Sequence, residues 1–473
     1  MKRILAFALL VILVLSLCAC GESGNTATEP AAAAGLQMGY ARESFMPEGQ
    51  VNLAGSGNNA HRVSQGYMDI LYATCIAVSE GENTILLFST DALSVNIEWN
   101  KEIRKLISED TGVPEYNIQI GATHTHSGPT IGGTLPLTLE WKPIYVDALR
   151  NSAKKAIADL APATLYGAKV PTEGMTFVRH YLMEDGSYAG ANFGDFSKKI
   201  VDHATTPDEE MILIKAEREG DKKDIMIMNF QAHPCFSGGT NYNDLSADYI
   251  HNVRDTFEKE TGMQFIYFLG ATGNLNTNSQ IGSENTDKNR SREAYGKALA
   301  QYAIDALPTM EKIEGSGVKT TRKEIEYKSN DYGQDRLEDA SKVSKMYTET
   351  GDSSKCTQYA KTLGFHSVFE CNGIVNCSRY PATGIIELNT CRFGGVGFVA
   401  ASYEMFCNSG MYIKENSPFE FTVVSTCTNG YNNYFPIKEA FDYGCYESFT
   451  ARYARGVAED MADEFVAMLK EVQ

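Results

Sequence analysis

Positive charge is what this chain has least of, since its 42 lysines and arginines face 60 aspartates and glutamates, a formal net charge of −18. So acidic a surface repels phosphate backbones and anionic lipid headgroups, and no basic tail offsets it, which excludes nucleic acid as a natural partner. Histidine is scarce too, with eight in 473 residues. The cysteines include no CxxC pair of the kind that builds a structural zinc knuckle. No internal repeat is detectable, which removes solenoids and propellers.

What is present begins with an address. Lys2 and Arg3 precede an apolar run from Ile4 to Leu17 that stops at Leu17-Cys18-Ala19-Cys20-Gly21. That pattern is a secretory signal, too short and too early to be a permanent membrane span. The residues before Cys20 are similar to the bacterial lipoprotein cleavage box. This resemblance implies removal of residues 1–19, acylation of Cys20, and an exported protein anchored by lipid to the outer face of the bacterial cell membrane. Residues 20–35 turn to Ser, Thr, Pro and an alanine run without hydrophobic periodicity, which reads as a flexible tether.

Residues 36–473 have the apolar fraction of a globular protein with a sizeable core, and no clean linker divides them, so one large domain is expected. Nine cysteines follow Cys20, seven of them after residue 350. One or two disulfides there, or buried free thiols, both remain open for an exported chain.

Apolar runs bounded by turns alternate with amphipathic segments. Strands are expected at "TILLFSTDAL" (84–93), "NIQIGA" (117–122), "EMILIKAE", "DIMIMNFQA" and "QFIYFLGA". Helices are expected at "WNKEIRKLISEDTG", closed by Gly112, from about Glu140 to Leu160, and around Ala247 to Glu260. The segments 278–289 and 349–355 read as exposed loops, and "YESFTARYARGVAEDMADEFVAMLKEV" as a single core-packing helix. The alternation predicts an α/β fold, a mixed sheet core layered with helices.

Two of the eight histidines stand one residue apart in "ATHTHSGP", just past an expected strand. If the chain stays extended there, His124 and His126 face the same side. A hydrolytic zinc site needs three or more protein donors and one open position. His233 in "MNFQAHPCFSGG" stands just past another apolar strand, where α/β proteins place their sites. His61, His180, His203, His251 and His366 have no comparable setting.

The segments "MGYARESFMP", "ILLFSTDAL", "ATHTHSGP", "NFQAHP", "LSADY", "FLGATGNLN", "ASYEMF" and "CTNGYNNYFP" occur in the order found in the neutral, non-lysosomal ceramidases, and the chain resembles that family over roughly residues 36 to 470. The resemblance implies zinc held by His124, His233, Glu404 and Tyr431, with Tyr434 as the fallback for the tyrosine. It also implies cleavage of an N-acyl amide, ceramide or a related acylated amide, by attack of metal-bound water; His126, on the same face as His124 but not assigned to the metal, and Tyr431 are the candidate catalytic residues. Such a site lowers the pKa of water toward neutrality, while His126 would move a proton and Tyr431 donate to the developing oxyanion. Asp91 and Asp248 would orient the ligand imidazoles.

Two departures bear on substrate. Where the family carries G-D-x-S-P-N, this chain has Gly273-Asn274-Leu275-Asn276-Thr277-Asn278, and an amide at Asn276 neither attacks carbonyls nor forms an acyl ester. The sequence ends where the family's additional C-terminal β-sandwich would begin, so that layer is not expected in the fold read here. The alternatives are a zinc-dependent esterase or amidase acting on a non-sphingolipid substrate, and a catalytically inactive ligand-binding lipoprotein. The expected partners are an acylated small-molecule or lipid substrate and, through acylated Cys20, a membrane surface.

Overall fold

Strands that are apolar on both faces need cover on both sides. In Asn83–Thr90, Ile85 and Leu87 point one way and Leu86 and Phe88 the other, and all four are fully buried. The period-two alternation therefore divides one strand between two cores. The computed structural model describes residues 35–473 apart from 56–61, 238–240 and 282–283. The expected leader (1–19), Cys20, the tether save Gly35, and His61 lie outside the described residues.

The larger sheet runs, in spatial order, through Gln264–Leu269, Ile225–Phe230, Glu210–Arg218, Ala161–Pro171, Gln37–Ser44, Tyr72–Glu80, Asn83–Thr90 and Ile118–Ala122. The short strand Glu311–Lys312 joins it on Ala161–Pro171. Its pairings are antiparallel except at the two ends, where Ile225–Phe230 runs parallel to Gln264–Leu269 and Asn83–Thr90 parallel to Ile118–Ala122. A second sheet is ordered Val318–Lys328, Thr383–Phe393, Val396–Ala400, Phe421–Ser425, and its last pair is again parallel.

The two sheets pack face to face through a core that joins Ile76, Ile85 and Leu87 to Phe393, Phe398 and Val423. Helices Ile97–Thr111 and Pro136–Ala158 cover one outer face through Ile103, Ile107, Tyr145 and Leu149. Helices Tyr249–Thr261 and Arg292–Ala306 extend that cover over the strand carrying Met228 and Phe230. The helix Val457–Val472 lays Met461, Phe465 and Leu469 on the outer face of the second sheet. The result is the expected mixed α/β fold, arranged as helix, sheet, sheet, helix. Each fully buried Leu, Ile or Phe contributes roughly 1.5–3 kcal/mol.

Capping follows the sequence. The Asn96 side chain accepts from the Glu98 and Trp99 amides, and Gly112 closes the same helix with φ 76°.

Three expectations are corrected. The C-terminal segment is two helices, Tyr446–Thr450 and Val457–Val472, because buried Tyr453 leaves the helix to bridge Ser329 and Gly456 adopts φ 97°. The segment 349–355 is mostly helical: Gln334–Thr350 ends at Gly351, φ 66°, and Ser353–Thr362 starts after Asp352, whose side chain caps it. The segment 278–289 contains the short helix Glu284–Lys288. With Val368–Cys377, helices Gln334–Thr350 and Ser353–Thr362 form a three-helix insertion with its own small core, around Val343, Cys356, Val368 and Cys371. The nine described cysteines are all free thiols, eight of them buried.

Candidate metal centre

Parallel strand pairs concentrate loop ends on one side of a sheet, and that is where α/β folds place chemistry. His124 follows Ile118–Ala122, His233 follows Ile225–Phe230, Glu404 follows Val396–Ala400, and Tyr431 follows Phe421–Ser425. Each stands beyond the carboxyl end of a strand with a parallel neighbour.

The histidines do not meet by simple strand alternation, as the sequence suggested. The strand ends at Ala122, and His124 holds φ 66°, the left-handed region that a non-glycine residue adopts at an energetic cost. Cys427 and Asn429, at φ 49° and 65°, hold the facing turn in the same region. Such strain persists only where the surroundings over-determine it. Here the His124 amide donates to the Ala92 carbonyl at 2.8 Å, and the Asn429 amide to the Ile120 carbonyl at 2.9 Å.

His124, His126 and His233 converge, offering ring nitrogens within 4.8 Å of one another. Glu404, in a two-residue strand paired with Tyr434–Phe435, is 1% exposed. Its Oε2 lies 3.3 Å from His124 Nε2 and 3.2 Å from His233 Nε2. Tyr431 donates its hydroxyl to Glu404 Oε1 at 2.6 Å, whereas Tyr434 faces the Arg179 guanidinium, 5.6 Å from its ring centre.

The outer hydrogen bonds fix the tautomers. His124 Nδ1 stands 2.8 Å from the Leu93 carbonyl oxygen and His233 Nδ1 3.0 Å from that of Leu275. A carbonyl oxygen only accepts, so each Nδ1 carries a proton, and in the neutral ring each Nε2 presents a lone pair. Asp91 and Asp248 do not take this part. Asp91 receives a bidentate contact from Arg254, while Asp248 accepts from the Ser237 and Tyr249 amides.

His124 Nε2, His126 Nε2 and Glu404 Oε2 are buried and have no hydrogen-bond partner. Lone pairs converging in a dry site repel one another unless a proton or a cation stands among them. Burial opposes a proton on His124, but the Glu404 carboxylate overrides it and raises that imidazole well above its ordinary value. Burial and the Arg179 charge push His233 down to about 4. Burial, with the neighbouring imidazoles, takes His126 well below its usual range. Burial alone would raise Glu404, yet the imidazoles hold it well below the carboxylate range.

Donors bound at 2.0–2.1 Å around a tetrahedral ion sit about 3.3 Å apart. The two Glu404 distances match that edge, so the donor set fits a divalent cation.

These groups open on a cavity of about 480 Å³, lined among others by His124, His126, Arg179, Glu404, Tyr431 and Tyr434. Two larger hollows, of about 560 and 890 Å³, are lined by none of these six. Asn276 pairs with Phe177 in a two-stranded ribbon and is not part of the cavity wall.

Sequence reasoning missed one neighbour of the site. Arg179 Nη1 lies 3.5 Å from His233 Nε2, and its other nitrogens bind Glu447 and the Gly273 carbonyl. Glu447 in turn meets His180 Nε2 at 2.8 Å, and His180 Nδ1 meets the Tyr443 hydroxyl at 2.8 Å. Burial opposes ionisation of Glu447, but Arg179 and His180 hold it well below its ordinary value. Glu447, His180 and Cys445 are close enough to share an ion. Unlike the first cluster, this one is satisfied internally. Glu447 lies 267 residues from His180, so no local signal announces the contact.

No protein-family model matches the chain, and no curated protein matches it in sequence. Solved structures do match in fold. The structure of neutral ceramidase from Pseudomonas aeruginosa superposes with a TM-score of 0.69 at 16% identity, covering 93% of this chain and 74% of that one. A ceramidase complexed with C2 gives 0.68 at 15% identity, covering 92% and 75%. The chain therefore has a ceramidase-like fold.

Proposed function

We propose that this protein is a zinc-dependent hydrolase that cleaves an N-acyl amide. The observation that carries the reading is the convergence of unpartnered buried atoms from His124, His126 and Glu404 in the wall of one cavity, with His233 beside them. The likeness of fold to two ceramidases supports it.

His124, His233 and Glu404 would hold the ion, with Tyr431 beside them. When bound, such an ion polarises a carbonyl oxygen and acidifies water. The chain's own residues do the rest. Glu404 is kept anionic by its imidazole neighbours and oriented by the Tyr431 hydroxyl. Tyr431 stays protonated, since burial and Glu404 raise it well above the phenol range, and can donate to a developing oxyanion. His126, neutral and with a free Nε2, accepts a proton from the attacking water. The water oxygen bonds to the acyl carbon, the C–N bond breaks with its electron pair on nitrogen, and His126 returns the proton to the departing amine. The products are a carboxylate and an amine.

We place this chemistry outside the cell, on a chain freed of residues 1–19 and held at the membrane surface through acylated Cys20. The N-terminal charge and apolar run support that address. Among the described residues, no helix is long and apolar enough to cross a membrane.

The test is amine release from a panel of acyl amides and esters by the zinc-loaded full chain. His124→Ala is expected to lose both metal and turnover. His126→Ala is expected to keep its metal and lose roughly 10²- to 10⁴-fold in turnover. Full hydrolysis by His124→Ala would contradict the reading.

A further inference from the structure

Part of the cavity wall comes from the three-helix insertion. Its last helix, Val368–Cys377, lines the cavity with Phe369, Asn372 and Asn376. Asn372 and Asn376 are one turn apart and so share a face of that helix. The helix is seated hard against its neighbour: a Cβ at Gly373 would come within 2.5 Å of the Phe449 carbonyl oxygen. Such a wall is a rigid one. Asn192 and Asn433 also line the cavity, both in left-handed turns at φ 66° and 63°.

The side-chain amides of Asn192, Asn372 and Asn433 have no protein partner among the described residues, whereas Asn376 accepts from Arg379 at 3.2 Å. Each amide offers two donors and an acceptor. Of the charged side chains of the cavity, Arg179 is already matched by Glu447, and Glu404 is turned to the ligand imidazoles and Tyr431. What is left for a ligand is therefore neutral, two-way hydrogen bonding. Phe369 and Tyr446 add ring faces against which the C–H face of a compact ring can pack. An alkyl chain placed here would strip water from the amides and return no hydrogen bonds.

We infer that the cavity selects a compact, uncharged acyl amide whose amine half carries several hydroxyl or amide groups, in place of a substrate with two alkyl chains. N-acylated amino sugars and short N-acylated peptides share this chemistry. The inference rests on the hydrolase reading for its reaction but not for its ligand class. Asn372 and Asn376 are specificity-determining residues, supplied by the insertion rather than by the two sheets.

The experiment has two arms, both on the zinc-loaded full chain. The first measures binding of N-acetylglucosamine, an N-acetylated serine dipeptide amide, which carries no free carboxylate, and a short-chain ceramide by calorimetry. At least one polar amide is expected to bind more tightly than the ceramide. Asn372→Leu is expected to weaken it by about tenfold, the worth of one hydrogen bond, and to improve ceramide binding. Leucine suits a helix surface, and an unchanged Tm and zinc content certify the fold. Tighter binding of ceramide, or polar binding indifferent to both Asn372→Leu and Asn376→Leu, would overturn the inference. The better of the two polar ligands identifies the source.

The second arm measures amine release from the same compounds. Hydrolysis of none, with the binding pattern intact, sinks the hydrolase reading and leaves the ligand class standing. Hydrolysis of ceramide at a higher kcat/KM than either polar amide does the reverse.

Discussion

Gly273 has no side chain to offer substrate or metal, yet Gly273→Ala is expected to damage the metal centre. Its amide donates to the Met405 carbonyl at 2.7 Å, so the turn after Gln264–Leu269 is clamped against the strand that carries Glu404. A Cβ at Gly273 would stand 2.9 Å from the carbonyl oxygens of both Glu404 and Met405, and ordinary contact begins at 3.4 Å. All three of its nearest atoms are backbone, so no flexible side chain can swing aside. The strand has to retreat by about half an ångström, which is the tolerance within which a metal or catalytic geometry is held. Overpacking of this kind costs about 1–3 kcal/mol. The variant is expected to fold with a Tm lowered by several degrees and a zinc affinity reduced at least tenfold, read by differential scanning calorimetry and competitive chelation. Wild-type stability together with wild-type zinc affinity would refute the argument that close backbone approach positions Glu404.

Further outcomes follow from particular groups. Tyr431→Phe removes the 2.6 Å hydrogen bond to Glu404 and is expected to weaken zinc binding 10- to 100-fold in a chelator competition. Burial would raise Glu387, but Arg104 and Arg322 hold it down to about 2. A depressed folded pKa stabilises fully above about pH 4.5 and loses that contribution as pH falls toward 2. Glu387→Gln is therefore expected to be less stable by about 3 kcal/mol at neutral pH, with the gap closing in acid denaturation curves. Asp248 has the opposite sign: burial raises it to about 6, so its ionised form weakens the fold as pH rises through 6. Asp248→Asn is expected to gain most Tm relative to the parent at pH 8, with the gain shrinking as pH falls from 6 toward 4.

Sequence made the layers legible because the strands signal themselves by composition. Ile85 to Phe88 is apolar on both faces, which only a doubly covered sheet accommodates. His124, His126 and His233 were readable because scarcity made their placement informative. Glu404 was reachable only by resemblance, since nothing in a two-residue strand distinguishes a buried carboxylate from a surface one. The helical insertion and the break at Tyr453 were not readable, because both depend on partners distant in sequence. Ser329, which bridges Tyr453, is one such partner, and Phe449, which seats Gly373, is another. The Arg179, Glu447 and His180 network stayed hidden for the same reason. Asp91 and Asp248 misled as orienting groups, since in this fold backbone carbonyls of Leu93 and Leu275 do that work.

The most direct measurement is the metal itself. Elemental analysis and zinc X-ray absorption on the purified full chain should give about one zinc per chain, bound by nitrogen and oxygen donors at about 2.0–2.1 Å. That metal should be lost when His124 and Glu404 are both replaced by alanine. A stoichiometric metal retained by the double variant, or a parent chain that binds none, would contradict the account.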